Sequence, residues 1–137
     1  MYIVFGNEIV DSAEIGVTIE ENSDFKVEKD MSKGTKREDV VAYQLSISVD
    51  TLNEYLKEDY DLDSMDEEEL FDEYMIISDE AAMELEELMP EDTIANARSY
   101  KWDNSENTIK VIISIAHEDL GELKLSDITK RLLSQVD

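Results

Sequence analysis

The strongest constraint on this 137-residue chain is a block of acidic residues with apolar side chains at regular spacing. Between Glu54 and Asp92 the chain contains 18 of its 36 acidic residues and a single basic residue, Lys57. Apolar residues recur at helical spacing in and beside the block: Leu52, Tyr55, Leu56, Leu70, Phe71, Tyr74, Met75, Ala82, Leu85, Leu88 and Met89. Because disordered acidic tails lack such apolar positions, the block is predicted to fold and to hold its carboxylates at fixed separations.

Composition places the chain among globular proteins. It has 42% hydrophobic residues, one Pro, no Cys and a net charge of −24, which fits one domain spanning residues 1–137. Such a charge repels nucleic acid and anionic membranes, so the expected partner is a basic protein surface, without direct nucleic-acid or membrane binding. No apolar run is long enough to span a membrane, and residues 1–8 lack the basic start of a signal peptide, so a cytoplasmic location is expected.

The first half of the sequence predicts strands. Residues 2–5 form a short apolar run, and the alternation of Ile15, Val17 and Ile19 with polar or small residues predicts a strand of period two. Residues 25–28 repeat that alternation after a short interval. Residues 41–49 predict the clearest strand, with one apolar face and one small, polar face.

The acidic middle of the chain predicts three short helices. Thr51 and Glu54 have capping-box spacing, Ser64 with its own capping box opens a helix over residues 65–77, and Ser78 caps a third helix that ends at Pro90. The second and third helices are predicted to form an antiparallel or angled pair whose outward carboxylates lie in two adjacent rows. Their predicted inward side chains are Leu70, Phe71, Tyr74, Ile77, Ala81, Ala82, Leu85, Leu88 and Met89.

The end of the chain predicts strands again. Residues 93–102 and 108–116 are predicted to pair as a hairpin, and the continuous apolar run 111–113 indicates a central strand. Ser126 is predicted to cap a final helix. The whole pattern predicts an α+β domain, in which an antiparallel sheet packs against three acidic middle helices and a C-terminal helix.

The motifs for metal binding and catalysis are incomplete. Asp59, Asp61 and Asp63 match the first ligands of a calcium-binding loop, but Ser64 stands where Gly is needed and Leu70 where a bidentate Glu is needed. The single histidine, His117, follows a strand without a second histidine nearby, and no glycine-rich phosphate loop occurs. The chain is therefore expected to be non-enzymatic, without a cofactor or a metal.

The uncompensated charge favours a binding role over an ordinary solvated surface. Pairs such as Glu69 with Glu73 and Glu80 with Glu84 place like charges four residues apart, where Glu–Lys pairs would stabilise a helix. The net charge of −24 equals the charge of about 12 base pairs of DNA, about 40 Å long, close to the diameter expected for this domain. The predicted partner-binding residues are Asp59, Asp61, Asp63, Asp66, Glu68, Glu69, Asp72, Glu73, Glu80, Glu84, Glu86 and Glu87.

In size, acidity, absence of Cys and its Glu-rich helical block, the chain resembles the small DNA-mimicking anti-restriction and anti-CRISPR proteins of phages and mobile elements. The resemblance implies that carboxylates occupy the Arg and Lys sites of a nuclease, a CRISPR effector or a restriction enzyme, and block DNA binding. The interface is expected at the acidic block and not at the basic loop 29–37. The alternative is a non-catalytic adaptor or phage assembly subunit, which would use an apolar patch near Tyr100 or Trp102.

Overall fold

The computed structural model describes residues 1–136, which form an α+β fold of six strands and four α-helices. In chain order these elements are β1 (Tyr2–Phe5), β2 (Glu8–Asp11), α1 (Ser12–Asn22), β3 (Lys26–Asp30), β4 (Val40–Ser48), α2 (Val49–Leu56), α3 (Glu67–Met83), β5 (Thr93–Asp103), β6 (Thr108–His117) and α4 (Glu122–Leu133). Short 3₁₀ helices lie at Ser32–Thr35, Leu62–Ser64, Glu84–Leu88 and Glu118–Leu120.

The central sheet is antiparallel, with the strand order β3-β4-β6-β5. The predicted hairpin is confirmed, since β5 pairs with β6 from Thr93↔His117 to Asp103↔Thr108. The prediction of a central strand over residues 111–113 is also confirmed, because β6 lies between β4 and β5 and is buried along nearly its whole length. β1 and β2 form a separate two-stranded hairpin.

Helices cover both faces of the sheet, which creates two hydrophobic cores. The larger core joins one face to the β1–β2 hairpin, α1, α2 and α3, with Ile19, Leu52 and Tyr74 among its buried side chains. The smaller core joins the other face to α4 through Leu125, Ile128 and Leu132. β4 is consequently covered on both sides over Val40–Tyr43, and the predicted polar face is restricted to its second half.

The prediction of a strand over residues 15–19 is wrong, because these residues belong to α1. Asp11 caps this helix by accepting a hydrogen bond from the Ala13 N–H at 3.0 Å. Ile15 and Ile19 are buried one helical turn apart, whereas Val17 is 54% exposed. The alternation of apolar residues therefore coincides with a four-residue spacing on one face of a helix.

The predicted helix starts in the acidic block are also wrong. Ser48, not Thr51, caps α2, and Asp66, not Ser64, caps α3 by accepting from the Glu69 N–H at 2.8 Å. Ser78 is buried in the middle of α3, so the second and third predicted helices are one continuous helix followed by the 3₁₀ helix Glu84–Leu88. Two α-helices therefore replace the three that were predicted, and the predicted pair of helices does not form.

Two smaller differences concern α3 and α4. Phe71 was predicted to point inward but is 39% exposed on α3. α4 begins at Glu122 after Gly121, one turn earlier than the predicted cap at Ser126. Among residues 1–136, no helix is both long enough and apolar enough to cross a membrane.

Candidate functional site

The net charge of the chain is concentrated in two segments that pack on the same face of the sheet. Residues 8–24 and 50–92, named here the acidic half, contain 25 acidic residues and one basic residue, whereas the remaining residues contain 11 of each. β2, α1, α2, α3 and the 3₁₀ helix Glu84–Leu88 all pack around the larger core. The entire net charge of −24 therefore belongs to two segments, and the helices and the strand of these segments pack on one side of the sheet. The six acidic residues of 8–24 could have been found by counting charges, but our prediction considered the longer block alone.

The solvent-facing side of α3 carries four of the candidate carboxylates along one helix. Glu69, Asp72 and Glu80 are exposed and Glu73 is half-buried. Their spacing puts them on the face opposite Tyr74, Ser78 and Ala82, the buried residues of the helix. This acidic row also contains two exposed apolar side chains, Ile76 and Met83, which are 52% and 38% exposed.

The loop before α3 extends the row at its N-terminal end. A groove of about 360 Å³ is lined by Tyr60, Asp61, Ser64, Met65, Glu69, Asp72 and Glu73. Asp61 therefore lies beside Glu69, Asp72 and Glu73 of α3. Asp59 and Asp63 are exposed on the same loop. Asp61 also accepts a hydrogen bond from the Asp63 N–H at 3.3 Å, which orders the loop locally.

The start of α3 gives some of the candidate carboxylates a structural role as well. Asp66 is the N-cap, and Glu68 and Glu69 lie in the first turn. Negative side chains are favourable there because the first turn presents unpaired N–H groups and the positive end of the helix dipole. Helix stability therefore explains the acidic residues at the start of α3. It does not explain the outward carboxylates further along the helix.

Two carboxylates of the block point toward the sheet instead of solvent. Glu86 was predicted to face outward, but it is half-buried and its Oε1 accepts from the Ala95 N–H at 3.1 Å. Asp79 Oδ1 likewise accepts from the Ser99 N–H at 2.5 Å. β5 is an edge strand whose outward amides need partners. The assignment of Glu86 to a partner-binding surface is therefore corrected, because its carboxylate caps this edge.

The other candidate carboxylates have no cationic partner within residues 1–136. In the acidic half, Lys57 pairs with Glu54 at 2.6 Å and the N-terminal amine pairs with Asp11 at 3.4 Å. The remaining ion pairs belong to the rest of the chain. The exposed carboxylates of α3 therefore create an uncompensated negative field on one side of the molecule.

The opposite side of the sheet carries nearly all of the basic residues in a charge-balanced arrangement. Arg37 pairs with Asp39 through two hydrogen bonds of 2.7 and 2.9 Å, and this contact lowers the pKa of the Asp39 carboxyl despite its partial burial. Arg131 on α4 donates to the Thr35 carbonyl at 2.8 Å, which ties the basic loop to α4. This loop lies against α4, on the side of the sheet away from α3.

The apolar patch that the adaptor hypothesis placed at Tyr100 and Trp102 does not form there. Trp102 packs edge-on against Tyr74, with ring centroids 5.2 Å apart, and Tyr100 packs against the smaller core. The outer face of the β1–β2 hairpin is exposed instead, with Tyr2, Val4 and Ile9 at 75%, 44% and 72%.

His117 lies at the end of β6, as predicted, and its Nδ1 accepts from the Asp119 N–H at 3.2 Å. Within residues 1–136, no group of three or more His, Asp or Glu side chains is arranged to hold a metal ion. Comparisons of the chain with protein-family models, curated proteins and solved structures find no match.

Proposed function

We propose that this protein is a nucleic-acid-mimicking inhibitor. It binds the basic nucleic-acid-binding surface of a host defence nuclease, a CRISPR effector in the first place and a restriction enzyme in the second, and excludes DNA from it. The protein would act in the bacterial cytoplasm, where such nucleases meet their DNA. The observation that carries the proposal is the location of the whole net charge in two segments whose helices pack on one side of the sheet.

The dimensions of the acidic row support this proposal. Glu69, Asp72, Glu73 and Glu80 extend over 11 residue steps, which correspond to about 16 Å along a helix. One strand of duplex DNA carries about five phosphates over that length. Four carboxylates on one helix therefore approach the linear charge density of one DNA strand. A channel that grips phosphates through Arg and Lys would meet a similar row of charge.

A competition assay tests the proposal. A labelled DNA duplex is bound to a guide-loaded CRISPR effector or to a restriction enzyme, and its displacement by this protein is followed by fluorescence anisotropy. We expect displacement at about 50 mM salt. In a parallel direct measurement, the affinity of the labelled protein for the nuclease should weaken by at least about tenfold between about 50 mM and about 500 mM salt, because screening weakens contacts between exposed charges. A directly measured affinity that does not depend on salt would contradict mimicry.

Two matched variants separate the acidic row from net charge alone. The test variant neutralises Glu69, Asp72, Glu73 and Glu80 to the corresponding amides. The control variant makes the same change at three Glu and one Asp in the rest of the chain: Glu38, Glu118, Glu122 and Asp127. These four residues are exposed, and none has an ion-pair partner among the described residues. The test variant should lose competition and the control variant should retain it. An equal loss of competition in both variants would show that competition depends on total charge and not on the acidic row.

The hairpin patch supports a second candidate, a non-catalytic adaptor or assembly subunit. Tyr2, Val4 and Ile9 form an exposed apolar surface on a separate hairpin, as partner-binding patches often do. Under that alternative, Tyr2→Ser with Ile9→Ser abolishes partner binding while the four-amide test variant retains it. The mimicry proposal expects the reverse result.

A further inference from the structure

A cleft lies where the C-terminal end of α1 meets α2 and the end of α3. Its volume is about 270 Å³, and its lining residues are Asn22, Ser23, Asp24, Phe25, Ile47, Tyr55, Ala81, Glu84, Leu85, Glu87 and Leu88. Phe25, Ile47 and Leu85 are buried in the larger core and supply an apolar floor. The cleft therefore combines an apolar interior with a polar mouth, as sites for specific side chains commonly do.

Three exposed carboxylates surround the mouth of this cleft: Asp24, Glu84 and Glu87. The Tyr55 hydroxyl donates a hydrogen bond to Asp24 Oδ2, which holds that carboxylate in place. Partial burial and the neighbouring Asp24 raise the pKa of Tyr55 to about 12, so the phenol remains a neutral donor near pH 7. None of the three carboxylates forms an ion pair within residues 1–136.

The helix ends at the cleft provide an independent reason for a cation to bind there. α1 ends at Asn22 and α3 ends at Met83, immediately before Glu84, and neither helix has a basic residue in its last turn. The C-terminal end of a helix carries a partial negative charge, and Lys or Arg side chains stabilise it. Neither helix supplies such a side chain in its own last turn.

We propose that this cleft receives an arginine side chain of the partner, as the anchoring contact of the acidic surface. The inference rests on the proposed function, because it assumes a partner with a basic surface. The apolar floor accommodates the three methylene groups of arginine, and a bare metal ion would leave that floor unused. The planar guanidinium presents donors in several directions, which suits carboxylates that approach from α1 and from the 3₁₀ helix Glu84–Leu88. Such a contact is partly desolvated and therefore specific, in contrast to the diffuse field of the α3 row.

The test is an NMR titration of the full chain with capped tripeptides, acetyl-Gly-Arg-Gly-amide and its lysine and citrulline counterparts. We expect the arginine peptide to bind with a Kd of roughly millimolar order and to shift the amide signals of Asp24, Tyr55 and Ala81. The lysine peptide should bind more weakly, and the citrulline peptide, which has a similar shape without the charge, should not bind measurably. Equal binding of lysine and arginine, binding of citrulline, or shifts spread along the α3 row would each overturn the proposal.

A variant that fills the cleft without changing the charge completes the test. Ala81→Leu places a larger side chain in the lining, and Ala13→Leu makes the same change at an exposed position on α1 as the control. The arginine peptide should bind Ala81→Leu at least about tenfold more weakly and Ala13→Leu as it binds the wild type. Unchanged binding to a folded Ala81→Leu variant, with folding checked by circular dichroism, would overturn the proposal.

The two proposals fail in different experiments. If the arginine peptide does not bind the cleft while the protein still displaces DNA and binds the nuclease in a salt-dependent manner, the anchoring contact is wrong and mimicry remains. If the peptide binds the cleft while the four-amide test variant still displaces DNA fully, the anchoring site is supported and mimicry by the α3 row is wrong.

Discussion

Neighbouring carboxylates on α3 have different roles, as Asp79 and Glu80 illustrate. Asp79 accepts the Ser99 N–H of the edge strand, whereas Glu80 is exposed and has no ion-pair partner within residues 1–136. We predict that Asp79→Ala lowers the free energy of unfolding by about 1–2 kcal/mol, because it leaves an edge amide without its acceptor. Glu80→Ala should change it by less than about 0.5 kcal/mol. Urea denaturation followed by circular dichroism measures both, and equal effects would contradict the assigned roles.

Glu28 gives a residue-level prediction of pH dependence. The Ser46 hydroxyl donates to its carboxylate at 2.7 Å and Lys110 lies 3.6 Å away, and these contacts lower the pKa of Glu28 below its ordinary value of 4.5, with burial opposing them. A lowered pKa means that the folded state favours the ionised carboxylate. The resulting stability is present above pH 4.5 and is lost as the pH falls through the folded-state pKa.

The corresponding variant is Glu28→Gln, which retains an acceptor for Ser46 but removes the charge. We expect the wild type to exceed this variant by about 1–2 kcal/mol in free energy of unfolding at pH 7. The difference should shrink as the pH falls below 4.5. Urea denaturation at a series of pH values measures it, and a difference that grows in acid would be inconsistent with this account.

At the scale of elements, Ser78 can be tested by its effect on stability. Its position inside α3 predicts that Ser78→Ala stabilises the fold, whereas a capping role predicts that the same change destabilises it. As a helix cap, Ser78 would stabilise the fold, and Ser78→Ala would cost about 1 kcal/mol. In the structure Ser78 is fully buried, and its Oγ has no hydrogen-bond partner within residues 1–136. We therefore expect Ser78→Ala to raise the free energy of unfolding by about 0.5–1 kcal/mol, since alanine favours helix and has no polar group to bury.

Asp66 provides the positive control for this prediction because it is the cap observed for α3. Asp66→Ala should lower the free energy of unfolding by about 1 kcal/mol, whereas Asp66→Asn should nearly preserve it, because asparagine caps helices equally well. Thermal or urea denaturation of the three variants distinguishes the two helix arrangements. Destabilisation by Ser78→Ala would favour two helices with a break at that residue.

Local sequence patterns predicted the sheet better than they predicted the helices. The strands of residues 41–49, 93–102 and 108–116 follow from alternating or continuous apolar runs, and their pairing follows from the turn between the last two. Ile15 and Ile19 were ambiguous because positions four apart fit both periods, and the decisive signal was the cap at Asp11. The predicted helix start at Ser78 was wrong because a serine buried inside a helix and a serine that caps a helix have the same local sequence signature. The inward turn of Glu86 depends on an edge strand nine residues away, which no helical pattern reveals.

At the scale of the whole molecule, the sheet separates a strongly negative side from a charge-balanced side. The acidic half surrounds the larger core, whereas α4 and the loop at Arg37 cover the opposite face, where acidic and basic residues are balanced. A molecule with this asymmetry is oriented by the field of a basic partner before contact, which favours rapid association through the negative side. The fold tolerates the repulsion because its two central strands, β4 and β6, are buried along most of their length, with β4 in apolar cores on both faces over Val40–Tyr43.

This asymmetry predicts opposite effects of salt on folding and on binding. Raising the NaCl concentration from about 10 mM to about 1 M shortens the Debye length from about 30 Å to about 3 Å. Screening then relieves repulsion among the carboxylates of the acidic half, so the urea midpoint should rise while affinity for a basic partner falls.

The variant with amides at Glu69, Asp72, Glu73 and Glu80 should be more stable than the wild type at low salt, and its stability should depend less on salt. The variant altered at Glu38, Glu118, Glu122 and Asp127 should keep most of the wild-type dependence, since its removed charges lie in the balanced part of the chain. Identical salt dependence in both variants would show that repulsion is spread evenly over the molecule and that its negative side has no special role.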